Sequence, residues 1–299
     1  MSFFRFASFV FKLRFKEDVD LGPFPSATIY RGLKGAVKEL FCPKPKWRCE
    51  RCLLLGTCFY SKAFGIPSFP PPLVINTPSS ALQPDLGEEI NFTLTLIGEW
   101  MEKFPHLFRS VLHLAEAGIC ERKGRFEILE VISLKGGEIL YEREADTLST
   151  DFSIFSLKDF RELPNNKIEG VVLSFLSPLL LRYQGRRARE LTLRQMVREL
   201  LYRIKQLMDF YCGGGEIKEA KELLTLTEDI ITEGDLLVFQ ELPPRYPNST
   251  PFKGLKGKIR FRGDISPFLP FLRIGEFINL GEGASLGFGN YRLQIEGEE

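Results

Sequence analysis

Histidine is nearly missing: 299 residues hold two, His106 and His113, so the commonest general base is absent from most of the chain. Any run of about 18 uncharged apolar residues is missing too, so no membrane span or membrane partner is expected. The first residues, MSFFRFASFVFKLRFKED, alternate apolar side chains with Arg5, Lys12, Arg14 and Lys16 and read as a strand rather than a signal peptide. A cytoplasmic protein with reduced thiols is the expectation. Two Gly-x-Gly pairs near the C-terminus, Gly281/Gly283 and Gly287/Gly289, have no Lys-Ser/Thr after them, which excludes a P-loop. An apolar segment precedes them and a strand follows, the reverse of a dinucleotide fingerprint. Net charge is only +1, which at first argues against a polyanionic partner.

What is present changes that reading. Arg31–Arg51 carries +5, Arg182–Lys205 +6 and Arg245–Arg262 +6, so the remaining chain holds −16. Such segregation can build a basic face on a neutral protein, although three separately solvated surfaces would give the same count. With 44% apolar and 12% aromatic residues, the chain can bury one large or two ordinary cores.

Periodicity gives a strand at Phe3–Phe15, a helix from a Ser26 cap to Phe41, strands at Leu73–Asn76 and Ile90–Ile97, a helix at Glu99–Ala117 and a strand at Phe126–Leu134. This β-α-β-β-α-β order is the ferredoxin-like plan, and Gly136–Thr150 suits an added hairpin. After a connector near Pro164, the order repeats. A strand-rich run spans Ile168–Leu181, and the arginine-rich RYQGRRARE leads to a helix with apolar residues from Leu193 to Tyr211. Thr192 and Gln195 fit its capping box. Strands at Leu236–Glu241 and Leu255–Phe261, a helix at Pro267–Phe277 and a strand at Tyr291–Ile295 complete the second unit. The expectation is an α+β fold of two tandem ferredoxin-like (RRM-like) domains, 1–160 with a four-cysteine insertion at 42–58, and 166–299 with a glycine-rich loop at 281–289.

The C-terminal run RYPNSTPFKGLKGKIRFRGDISPFLPFLRIGEFINLGEGASLGFGNYRL resembles the C-terminal domain of the CRISPR-associated pre-crRNA processing endoribonucleases of the RAMP (repeat-associated mysterious protein) superfamily. IYRGLKGAVKELFC and the following CERCLLLGTCFY resemble a four-cysteine branch of the same family. The resemblance implies a metal-independent endoribonuclease that cuts CRISPR repeat RNA into crRNA. The ribose 2′-hydroxyl attacks the adjacent phosphate and leaves 2′,3′-cyclic phosphate and 5′-hydroxyl ends. A non-catalytic crRNA-binding subunit of a CRISPR effector complex is the competing expectation, and a metal-stabilised nucleic-acid-binding protein outside this system is a third. A homodimer is compatible with each.

Many relatives use a histidine near or after the first helix, and this chain has none there. Tyr30, Lys34 and Lys38, at i, i+4 and i+8, are the catalytic candidates, Tyr30 because some relatives carry a tyrosine at that place. Two ammonium groups would lower the pKa of its phenol, and a lysine would neutralise the phosphorane. RNA contacts are expected from Arg31, Lys44, Lys46, Arg182, Arg186, Arg187, Arg189, Arg245, Lys253 and Lys256, with Tyr183 and Tyr246 stacking on bases. Gly281, Gly283, Gly287 and Gly289 would let backbone approach phosphates, with Ser285 as a donor. A tight helix-to-strand turn is the plainer use of the same glycines.

Cys42, Cys49, Cys52 and Cys58 fall within seventeen residues. Four thiolates suit structural zinc first and an iron-sulfur cluster second, and disulfides or unligated thiols would also account for them.

Overall fold

A computed structural model describes residues 4–45, 47, 49–65, 70–78, 82–120, 123–161, 167–183, 186–233, 238–242 and 252–297. The chain divides into two compact units, Phe6–Phe155 and Met1–Arg5 with Ser156–Glu299.

The first contains β1 (Arg5–Phe15), α1 (Pro25–Phe41), β2 (Leu73–Asn76), β3 (Glu89–Ile97), α2 (Phe104–Ala117), β4 (Phe126–Ser133), β5 (Ile139–Glu142) and β6 (Thr147–Leu148), and β7 (Phe155–Ser156) follows. Its strands run in the order β2-β3-β1-β4-β5-β6, which is the ferredoxin-like sheet extended by the hairpin. Phenylalanines from β1 form its centre: Phe9 stacks on Phe104 of α2 at 4.1 Å between ring centroids, and Phe11 stacks on Phe92 of β3 at 4.8 Å.

Two helix starts differ from the sequence reading, both because of proline. Ser26 does not cap α1. The helix begins at Pro25, whose fixed φ and missing N–H suit the first turn, while Ser26 Oγ accepts the Thr77 N–H at 3.0 Å and pairs with Thr77 Oγ1 at 2.9 Å. The helix expected from Glu99 starts as a 3₁₀ segment, Gly98–Lys103, and becomes α-helical at Phe104 with Pro105 in its first turn.

The second unit holds β8 (Gly170–Leu179), β9 (Arg182–Tyr183), β10 (Arg186–Arg187), α3 (Leu193–Tyr211), α4 (Ala220–Leu226), β11 (Ile231–Glu233), β12 (Val238–Leu242), β13 (Phe252–Arg262), α5 (Leu269–Ile278) and β14 (Tyr291–Ile295). The sheet order is β11-β13-β8-β14, with β12 also paired to β13. α4 and β11 are additions that the sequence reading did not contain. α3 starts as expected: Thr192 Oγ1 accepts the Gln195 N–H at 3.3 Å, and Gln195 Oε1 accepts the Thr192 N–H at 3.0 Å.

Between α5 and β14 the glycine-rich segment folds against the end of β8. Gly281 and Gly289 have φ of 79° and 64°, in the left-handed region. A Cβ at Gly281 would fall on the Leu180 carbonyl oxygen, and one at Gly289 on the Leu280 carbonyl oxygen. Gly289→Ala is therefore expected to lose about 1–3 kcal/mol from φ strain alone, with more from the backbone collision, and to lower the melting temperature clearly. Thr192→Ala should cost about 1 kcal/mol in denaturant unfolding, because one helix-end N–H loses its acceptor.

Candidate functional site

α1 brings Tyr30, Arg31, Lys34 and Lys38 together on one helix, but not on one solvated face. Arg31 is exposed, and Lys34 and Lys38 are half-buried. Tyr30 is 6% exposed, with its ring edge-on to Phe64 at 5.3 Å. The i, i+4 spacing aligned it with Lys34, whereas a π-helical turn at Ser61–Gly65 supplies the aromatic that covers it. Lys38 Nζ lies 5.7 Å from the centroid of Tyr60. Burial pushes the Tyr60 phenol up to about 12, and the nearby Cys49, Cys42 and Cys58 thiols add to the rise. Lys44 Nζ sits 4.2 Å from the centre of the Trp47 ring. Lys46 and Arg48 lie outside the described residues.

Both histidines are on α2. His113 Nε2 is 2.8 Å from Glu39 Oε2 of α1. His106 is exposed beside the rings of Phe41 and Phe59, at 5.4 and 5.5 Å.

Cys42, Cys49, Cys52 and Cys58 are half-buried free thiols. They occupy a segment of successive turns: Cys52 N–H bonds to Cys49 O, Leu55 N–H to Cys52 O and Cys58 N–H to Leu54 O. Burial raises the Cys49 pKa. Lys38 opposes the rise, and the other three thiols reinforce it, which brings all four within electrostatic reach. The Ser61 N–H also donates to Cys58 Sγ at 3.3 Å. The donor chemistry suits a soft metal ion, but among the described residues no group of three or more His, Cys, Asp or Glu is gathered to hold one.

In the second unit, the glycine-rich loop directs its backbone inward. Leu280 N–H bonds to Gly289 O, Glu282 N–H to Leu180 O, Gly289 N–H to Pro178 O, and Phe288 N–H to Gly283 O. Ser177 Oγ donates to Gly287 O at 2.6 Å, and the Asn279 side-chain amide to Ala284 O at 2.9 Å. Gly287 and Gly289 are buried, Gly281 and Gly283 are half-buried, and Ser285 is buried with its hydroxyl unpartnered. These side chains and amides face the protein. Gly281 and Gly289 approach the end of β8 at the Leu180 and Pro178 carbonyls, and Gly283 lies against the Phe288 ring.

The arginines separate into two sets. Arg182 pairs with Glu282 of the glycine-rich loop. Arg194 pairs with Glu228, Arg260 with Glu296, and Arg262 with Glu233 and Glu296, so much of the apparent basic surface is neutralised locally. By contrast Arg186, Arg187 and Arg189 are exposed at the β9–β10 hairpin and have no ion pair among the described residues. Lys256 is half-buried and Lys258 exposed on β13. Arg245 and Tyr246 lie outside the described residues, as do the side chains of Lys253 and Tyr183.

Arg203 has a different role. Its Nε donates to the Ile278 carbonyl at 2.9 Å, tying α3 to the end of α5 just before the glycine-rich loop. Burial pushes its guanidinium down to about 10, with Glu199 countering. Sequence reasoning missed two features: Glu282 as the anchor of Arg182, and Trp47 as an exposed ring. An acidic residue inside a glycine-rich loop was the available signal for the first.

Residues 173–291 match the family model described as CRISPR-associated endoribonuclease Cas6, and residues 4–152 match AF_1859_N, an N-terminal domain. No curated protein matches in sequence. Among solved structures, a partial Cas6-RT-Cas1–Cas2 complex aligns with a TM-score of 0.67 at 12% identity over 100% of this chain. This chain spans only 47% of that relative. A Cas6 product complex aligns at 0.62 with 17% identity, covering 97% of this chain and 100% of its own. Thermus thermophilus Cas6 aligns at 0.57 with 15% identity, over 97% and 99%. At these identities the alignments establish the shared fold, and residues 173–291 carry the match to the CRISPR-associated endoribonuclease Cas6 family model.

Proposed function

We propose that this protein binds CRISPR repeat RNA and cleaves it to crRNA by attack of the 2′-hydroxyl on the adjacent phosphate. The observation that carries the reading is the coincidence of the Cas6 match over 173–291 with Arg186, Arg187 and Arg189, exposed at the β9–β10 hairpin and without an ion pair among the described residues. Guanidiniums of this kind hold phosphates through charge and a planar donor fork. The two matched regions are proposed to act as the two domains, 1–160 and 166–299, and an effector complex is a proposed partner.

The chemistry needs a proton taken from the 2′-hydroxyl, a proton given to the leaving 5′-oxygen, and a cation beside the phosphorane. No metal enters these steps. Lys34, half-buried on α1 beside exposed Arg31, is the proposed cation. Lys38, one turn further along α1, is the alternative cation for the same charge. Tyr30 is retained as the proposed proton carrier, although its burial against Phe64 restricts it to a partly opened helix face. That restriction, with His113 paired to Glu39, favours a second reading in which the chain binds crRNA without cutting it.

Incubation with the cognate repeat RNA in EDTA separates the two. A 2′,3′-cyclic phosphate end supports cleavage; intact RNA after hours at the growth temperature leaves only the binding subunit. Lys34→Ala should slow single-turnover cutting about a hundredfold with affinity nearly intact. Tyr30→Phe keeps the ring on Phe64 and removes only the hydroxyl, so it too should slow cutting, and an unchanged rate takes Tyr30 out of the mechanism.

Cys42, Cys49, Cys52 and Cys58 are proposed as a structural zinc site, with an iron-sulfur cluster as the second choice. The four half-buried thiols and the N–H donated to Cys58 support it. Purified protein should contain about one zinc per chain, and chelation should lower its melting temperature. Metal-free protein with an unchanged melt would rule the site out.

A further inference from the structure

Trp47 is 51% exposed, while the chain's other tryptophan, Trp100, is buried to 2%. The fold therefore has room for an indole in a core and places this one in water, where its large apolar face gains nothing from folding. Lys44 lies over the ring, and the Trp47 N–H bonds to the Lys44 carbonyl at 3.0 Å, so a turn holds the cation against the indole. Arg51 is exposed, and neither it nor Lys44 has an ion pair among the described residues. From Cys42 to Cys49 the sequence CPKPKWRC contains three basic residues, Lys44, Lys46 and Arg48, and no acid. Leu53, 95% exposed, extends the apolar character of the same segment.

We propose that Trp47 is a stacking platform for an unpaired base of single-stranded RNA, with Lys44 and Arg51 engaging the adjoining phosphates. An indole offers a π-face to any base, and the cations supply the charge that a protein partner of ordinary composition would not require. The cysteine-rich segment then serves as a rigid mount for this platform. The assignment rests on the RNA-binding reading above and adds a ligand, an unpaired nucleotide, that the arginine hairpin does not specify.

The test uses the full chain and a short oligoadenylate. Saturating RNA should quench the tryptophan emission of the natural protein, and Trp47→Phe should lose that quenching while keeping affinity within about threefold. Trp47→Ala should weaken oligoadenylate binding about 5- to 150-fold, the range for losing one stacked base. Circular dichroism melts establish that the variants are folded, and Lys44→Gln, which leaves the ring in place, should weaken binding less than Trp47→Ala. If Trp47→Ala binds oligoadenylate like the natural protein, the platform is wrong while the RNA reading stands. If the natural protein binds neither oligoadenylate nor repeat RNA, the RNA reading falls as well. A change in oligomeric state on Trp47→Ala with RNA affinity unaltered would overturn the platform in favour of a protein contact.

Discussion

The Leu180 and Leu280 carbonyl oxygens occupy the space that side chains at Gly281 and Gly289 would need, and the second unit is arranged around that closeness. Glu282 N–H bonds to Leu180 O and Gly289 N–H to Pro178 O, so the loop grips the end of β8 where the chain leaves the sheet. Two residues beyond Leu180, Arg182 pairs with Glu282, and the Ala188 N–H returns to Leu181 O. The loop thereby anchors the entry side of the hairpin that displays Arg186, Arg187 and Arg189, and the Ala188 bond ties the exit side to it. Arg203 steadies the opposite end of the loop by holding Ile278 O.

Charge alone gave an incomplete guide to this arrangement. The β13 arginines contribute to a sequence segment of +6, yet Arg260 and Arg262 meet Glu296 across the sheet. Glu296 stands outside the basic segment, on the chain beyond β14, and only the fold brings it near. Exposed ion pairs of this kind contribute little stability, but they remove the field that a phosphate would feel. Arg186 and Arg187, which have no ion pair among the described residues, stand on a two-stranded hairpin with no neighbouring strand to supply carboxylates.

Local rules made much of the architecture legible. Alternation located β1, β3, β4 and β14; Thr192 and Gln195 located the start of α3; the repeated β-α-β-β-α-β order gave both sheets. Ser26 was misread because Pro25 already supplies a helix start, leaving the hydroxyl for Thr77. Tyr30 was misplaced because helical spacing describes one helix, whereas Phe64 arrives from a turn more than thirty residues later. Ser285 and the four glycines were legible as a special loop, but the object that Gly281 and Gly289 approach, the end of β8, is a long-range contact that no local pattern encodes. α4 and β11 were missed because short elements after a glycine stop carry too few periods to register.

The loop-and-hairpin arrangement has a direct test in the salt dependence of repeat-RNA binding. Each phosphate neutralised contributes to the slope of log affinity against log salt, about 0.7 for single strands and about 0.9 for duplex. Replacing Arg186, Arg187 and Arg189 together with alanine should reduce the slope by about 2 and weaken binding across RNA sequences, with the melting temperature unchanged. An unaltered slope in a folded triple variant would contradict the account, because the hairpin would then not hold the RNA backbone.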